Sequence, residues 1–290
     1  MADDEKYLFD LNGYLVIEGV LTDDEIELAN EAIDRHIDQG RVRARDQRLD
    51  GNSPALEGTH GRGELRNPTH WDNPYCNPFR DMLAHPRIVP YLNEILGKGF
   101  RIDHQMFLLW MDKGAEGFRF HGSSGPGFDP NQYYIFKNGK MHNGLTVVSF
   151  QLTDVNPGDG GLCVIPGSHK SNYACPQEMR LYQKHQEHVR QLTCKAGDVV
   201  IFSEATTHGT LPWTADHPRR STLTRYTAGN MAYVKTYDIP EWANERQRAV
   251  MEPPYHSRLK PSSHRGITNT RKLSTTQQPP LAIGDNWGIV

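Results

Sequence analysis

The order of periodicities along this chain predicts an α+β fold, mainly β, built on a jelly-roll or cupin-like double sheet with N-terminal helices packed on one sheet. Three observations carry that expectation. Helical spacing of apolar residues comes first, short strand-like runs follow from about residue 99, and Gly, Pro and Asn turn signals separate those runs. A single β-rich domain of 290 residues is ordinary. We expect it to span residues 1–260, with 261–290 as a polar tail.

Residues 7–20 fit a short helix, an Asn12-Gly13 turn and a β-strand. Thr22-Asp-Asp-Glu25 has the form of a capping box and opens an amphipathic helix to about Gln39, with Ile26, Leu28, Ala29, Ala32, Ile33 and Ile37 inward. Residues 40–68 are polar and Gly-rich and read as a loop or a substrate-proximal excursion. A second helical region over about 76–97 ends at Gly97, a C-cap signal. Strands are expected at Phe100–Asp103, Gln105–Met111, Gly144–Asp154, Leu162–Ile165, Asp198–Phe202 and Ser221–Ala228. One irregular helix over 236–260 closes at Glu252-Pro-Pro. The Ser-, Thr-, Pro- and Gln-rich tail has too little apolar content to build a core of its own.

The net charge is −3 and the pI about 6.5, without the basic face a nucleic-acid partner would require. No apolar run approaches eighteen residues, and the N-terminus is acidic, so a soluble cytoplasmic protein with no membrane partner is expected. Cys76, Cys163, Cys175 and Cys194 form no CxxC pair, which argues against structural zinc and a disulfide framework.

Chemistry is concentrated between His121 and Arg225. His121 ends a β-like alternation and precedes a Gly-rich loop, a place with room for a metal and solvent. His208 follows the apolar run Val199–Phe202. Between them stand Pro157-Gly-Asp-Gly-Gly161, Pro166-Gly-Ser-His-Lys170 and Gly197-Asp198. Two His and one carboxylate on one face of a metal are the ligand set of non-haem Fe(II) oxygenases. On strand spacing, Arg219 and Arg225 share one face and Arg220 takes the other. A guanidinium fork on that face could pair bidentately with a carboxylate.

Asn12–Ile17, Leu152–Lys170, Gly197–Phe202 and His208-Gly209 together resemble the phytanoyl-CoA dioxygenase family of Fe(II)/2-oxoglutarate-dependent oxygenases, over about residues 7–230. The resemblance implies a double-stranded β-helix and an HxD…H triad on Fe(II). It also implies 2-oxoglutarate as co-substrate, O2 as oxidant, and a small-molecule substrate hydroxylated with release of succinate and CO2. By it, His121 and His208 are metal ligands and Arg219, eleven residues after His208, binds 2-oxoglutarate. Arg225 ranks second for that role and Thr210 hydrogen-bonds the same carboxylate. His169 braces a loop, and His142 is a reserve ligand.

The resemblance breaks at Ser123, where the family's commonest pattern has Asp. Three explanations stand. Glu204, four residues before His208, supplies the third ligand. Alternatively chloride fills the position, as in related halogenases. Or the site is completed by water, or serves a non-catalytic cupin-like binding protein. Asp103 and Asp129 are further acids near His121 with nothing to aim them at it. The aromatic run Phe128–Phe136, and residues 40–75 with Trp71 and Tyr75, are candidate lids or packed loops.

Overall fold

Thr22 caps the first long helix as its sequence predicts: its hydroxyl accepts from Glu25 N–H, while the Glu25 carboxylate accepts from Thr22 N–H at 2.8 Å. The computed structural model describes residues 1–43, 52–122, 129–233 and 238–254. Within them, α1 (Asp3–Asn12) stops at Gly13, held at φ 81°, and β1 (Tyr14–Ile17) follows. That φ favours glycine, and a Cβ there would run into Thr206 and His169. The chain continues through α2 (Asp23–His36), β2 (Arg41–Val42), β3 (Gly63–Arg66), α3 (Asn77–Met82), α4 (Val89–Leu96), β4 (Arg101–Met111) and β5 (Phe118–His121). A hairpin of β6 (Tyr134–Lys137) and β7 (Lys140–Asn143) turns at Asn138-Gly139. Then come β8 (Thr146–Phe150), β9 (Gly161–Val164), α5 (Gln177–Arg180), β10 (Arg190–Gln191), β11 (Val199–Ser203), β12 (His208–Leu211), β13 (Arg219–Thr227) and α6 (Glu245–Met251).

The strands form a large sheet ordered β1-β11-β8-β13-β4-β3-β2 and a small one ordered β10-β9-β12-β5, antiparallel throughout. This is the jelly-roll sandwich the sequence predicts. Both faces of the large sheet are covered. Val199 and Ile201 of β11 and Val148 and Phe150 of β8 face the helices, packing with Ala29, Ile33, Phe79 and Leu92. Val200, Phe202 and Val147 alternate with them and face the small sheet, meeting Val164 and Leu192. Each such side chain, once fully buried, contributes about 1.5–3 kcal/mol.

Several boundaries differ from expectation. The helical region 76–97 is two helices, because Pro86 cannot continue one helix through His85. The two strands expected at 100–111 are one continuous β4. The loop assigned to 40–68 contains β2 and β3. Of the helix expected over 236–260, the described residues 238–254 form only the two turns of α6, capped by Asn244 and stopped before Pro253. Trp71 is a packed residue, stacked on His36 at 4.0 Å between ring centroids, and Tyr75 packs edge-on to the same ring. Of the Phe128–Phe136 run, Phe128 lies outside the described residues and Tyr134–Phe136 belong to the β6 strand of the hairpin. The proposed tail 261–290 and Ser123 lie outside the described residues.

Candidate metal centre

The double sheet brings together what the chain separates. His208, the first residue of β12, lies directly opposite His121, the last of β5. Directly opposed residues share a face, and the two rings are 4.1 Å apart, centroid to centroid. Glu204 sits in the short crossover that carries the chain from β11 in the large sheet to β12 in the small one. One ligand atom from each of His121, Glu204 and His208 lies within 4.8 Å of the other two. Glu204 Oε2 is 3.9 Å from His208 Nε2.

Backbone carbonyls set the imidazoles for coordination. His208 Nδ1–H donates to the Thr206 carbonyl at 2.7 Å, and His121 Nδ1–H to the Arg119 carbonyl at 3.3 Å. A carbonyl only accepts, so each Nδ1 carries the hydrogen and each Nε2 keeps its lone pair. Burial pushes His121 down to about 3, with the neighbouring His208 adding to the effect, and burial lowers His208 as well. For Glu204 burial is the largest influence and acts to raise the carboxyl, but Arg225 together with the nearby His208 and His121 outweighs it and holds it at about 2. All three groups are therefore in the protonation states a metal requires. Arg225 Nε donates to Glu204 Oε1, leaving Oε2 on the side of His208.

Gly122 follows His121 at φ 148°, and a Cβ there would come within 2.7 Å of the Thr206 carbonyl. Only glycine lets the chain pass this close to the group that orients His208.

A narrow cavity of ≈ 70 Å³ adjoins the cluster. His121, His208, Thr210, Arg219 and Arg225 all line it, so the six residues singled out from sequence meet in one place. Arg219 is 3 % exposed; its Nη1 faces Met111 Sδ at 3.6 Å and its Nε has no hydrogen-bond partner. A buried guanidinium left in this way fits an incoming carboxylate. Arg220 leaves on the opposite face, to Asn30 and Asp34 of α2, as strand alternation predicts.

Other candidates are not in the cluster. His142 is exposed on β7. His169 is buried, its Nε2–H donating to the Asp10 carbonyl at 3.0 Å, and so ties α1 to the loop after β9. Asp103 is committed to Arg101 and His104, and Asp129 accepts from Asn131 N–H. A wider depression of ≈ 670 Å³ beside α6, lined by Glu25, Asp81 and His85, holds neither of the ligand clusters found among the described residues.

Sequence reasoning missed Arg62, which lines the cavity with Phe107 and Phe118. The only signal was the alternation Arg62, Glu64, Arg66 in a stretch with one apolar residue, too short to mark a strand.

Comparison with known proteins bears on the family and the fold. Residues 9–221 match the family described as phytanoyl-CoA dioxygenase (PhyH). An ectoine dioxygenase of Streptomyces avermitilis is 22% identical over 260 residues, 82% of each chain. HygX of Streptomyces hygroscopicus, solved with nickel and 2-oxoglutarate bound, superposes with a TM-score of 0.63 at 21% identity, covering 82% of this chain and 91% of its own. EctD of S. alaskensis, solved with 2-oxoglutarate and 5-hydroxyectoine, gives 0.56 at 21% identity, over 79% of this chain and 77% of its own.

Proposed function

This chain belongs to the phytanoyl-CoA dioxygenase family of Fe(II)- and 2-oxoglutarate-dependent oxygenases, and from that premise we propose that it hydroxylates a small molecule at an iron held by His121, Glu204 and His208. The observation that carries the reading is the buried triangle of two neutral imidazoles and one ionised carboxylate. Its donor set matches the two-His-one-carboxylate face that leaves positions open on iron. Glu204 thereby takes the role that an Asp two residues after His121 plays in the family's commonest pattern.

When bound, iron with 2-oxoglutarate and O2 supplies the oxidising power that removes a substrate hydrogen, releasing succinate and CO2. The chain's own residues orient and exclude. Thr206 and Arg119 carbonyls aim the imidazoles. Arg225 fixes the Glu204 carboxylate through one oxygen and leaves the other for the metal. Arg219 offers its fork to the distal carboxylate of 2-oxoglutarate, with the Thr210 hydroxyl beside it in the cavity wall. Phe107, Leu109, Phe118 and Leu223 form an apolar wall that keeps water from the site. Relatives of this fold have been solved with hygromycin B and with 5-hydroxyectoine, and a compact polar metabolite is the substrate class we propose.

The test is succinate release from 2-oxoglutarate under O2, screened across such metabolites with the substrate followed by mass. The reading predicts succinate in step with a product heavier by one oxygen. Coupled turnover giving a chlorinated product would contradict it.

A further inference from the structure

Arg62, just before β3, and Arg219 of β13 reach the cavity from either side of β4. Gly63 of β3 pairs with Trp110 of β4, and Arg219 of β13 pairs with Met111. Carried back one residue, the β3 register sets Arg62 opposite Met111 too. Opposed residues on antiparallel strands share a face. Arg62, Met111 and Arg219 thus form a row across the large sheet, the two arginine backbones two strand spacings or about 10 Å apart.

The charges at this end of the cavity do not balance. Arg62 Nη2 donates to Glu64 at 3.1 Å, but Glu64 already accepts from Arg43 Nε at 3.0 Å and from Arg43 Nη2 at 3.3 Å. Two guanidinium groups therefore share one carboxylate, and neither is Arg219. The Nε atoms of Arg62 and Arg219 are both buried without a hydrogen-bond partner. Burial, and then the proximity of Arg62, push Arg219 down to about 10. Uncompensated buried charge is costly, and an anion between the two forks removes that cost. Phe118 supports the Arg62 fork, whose central carbon stands 5.1 Å from the ring centroid.

We propose that Arg62 is a second anchor for 2-oxoglutarate, closing with Arg219 on the same distal carboxylate. The proposal rests on the 2-oxoglutarate reading above and adds a residue from outside the His121–Arg225 stretch. Arg62 then couples β3, at the far side of the large sheet, to co-substrate affinity.

Calorimetric binding to the full chain loaded with Ni(II) tests it. The probes are 2-oxoglutarate and 2-oxobutyrate, which lacks the distal carboxylate. R62M is expected to weaken 2-oxoglutarate about ten- to a hundredfold, the loss of a charge-assisted bond, and to leave 2-oxobutyrate unchanged. R62K keeps the charge without the fork and is expected to lose less; it decides the matter if R62M fails to fold by thermal melting. Wild-type-like binding of 2-oxoglutarate by these variants, or equal losses for both acids, overturns the role of Arg62. If the wild-type chain does not prefer 2-oxoglutarate to 2-oxobutyrate, the co-substrate reading itself falls. Binding sensitive to R219M but not to R62M removes only the second anchor.

Discussion

At Glu204 a carboxylate that is 3 % exposed lies against a guanidinium on one side and two neutral imidazoles on the other. Removing one partner of a buried ion pair leaves the other charge unpaired, at a cost of about 3–5 kcal/mol. Arg225→Met is accordingly expected to lower the stability of the metal-free protein by about 3 kcal/mol, at the low end because Arg225 is partly exposed. It also frees Glu204 to rotate, so metal affinity falls with it; chemical unfolding and metal titration read the two effects separately. The protonation states add a pH prediction. His121 stays neutral in the fold down to about 3, against an ordinary 6.5, so between those values the unfolded chain binds more protons. Stability therefore rises with pH across that window and is lost on acidification. Glu204, ordinarily at 4.5 and held at about 2, acts in the same direction at lower pH. Metal affinity is expected to be flat from pH 7.5 to 6. Two ordinary imidazoles would instead each weaken it about fourfold at pH 6.

Among the elements, legibility followed burial. The strands β8 and β11 read clearly because helices cover one face and the small sheet the other, which leaves Thr146–Phe150 and Val199–Ser203 buried throughout and rich in apolar residues. The Thr22 capping box and the Asn138-Gly139 turn were equally plain, since backbone geometry demands those residue types. By contrast β3 was illegible: Gly63-Glu-Leu-Arg66 offers one apolar side chain, and its inward face is charged because it serves the cavity. Packing rather than pattern holds it. Gly63 lies flat against the Trp110 indole, and a Cβ there would overlap the ring. Gly63→Ala is therefore expected to push β3 off β4, cost about 1–3 kcal/mol as overpacking does, and weaken 2-oxoglutarate binding by displacing Arg62. Val42→Ala, on the exposed edge strand β2, is the matched control and leaves both melting temperature and binding unchanged.

For the whole molecule, function comes from the way two sheets face each other. The small sheet supplies the His pair, the large sheet supplies Arg219, Arg225 and Arg62, and the crossover between β11 and β12 supplies Glu204. The two His and Arg219 could be singled out in the sequence because their spacing repeats a known order. Glu204 could only be suspected: its claim depends on Oε2 facing His208 while Arg225 takes Oε1, which is a three-dimensional fact. Arg62 was out of reach, because a registry across three strands brings it beside Arg219 from more than a hundred and fifty positions away. The central claim is that Glu204 completes the iron site, and anaerobic Fe(II) titration of Glu204→Ala with 2-oxoglutarate tests it most directly. The weak visible band of the iron–2-oxoglutarate complex is read with and without chloride. The band is expected in the wild-type chain and lost in the variant, with no recovery on adding chloride. A variant that binds iron as tightly as wild type, or forms the band only when chloride is added, would contradict it.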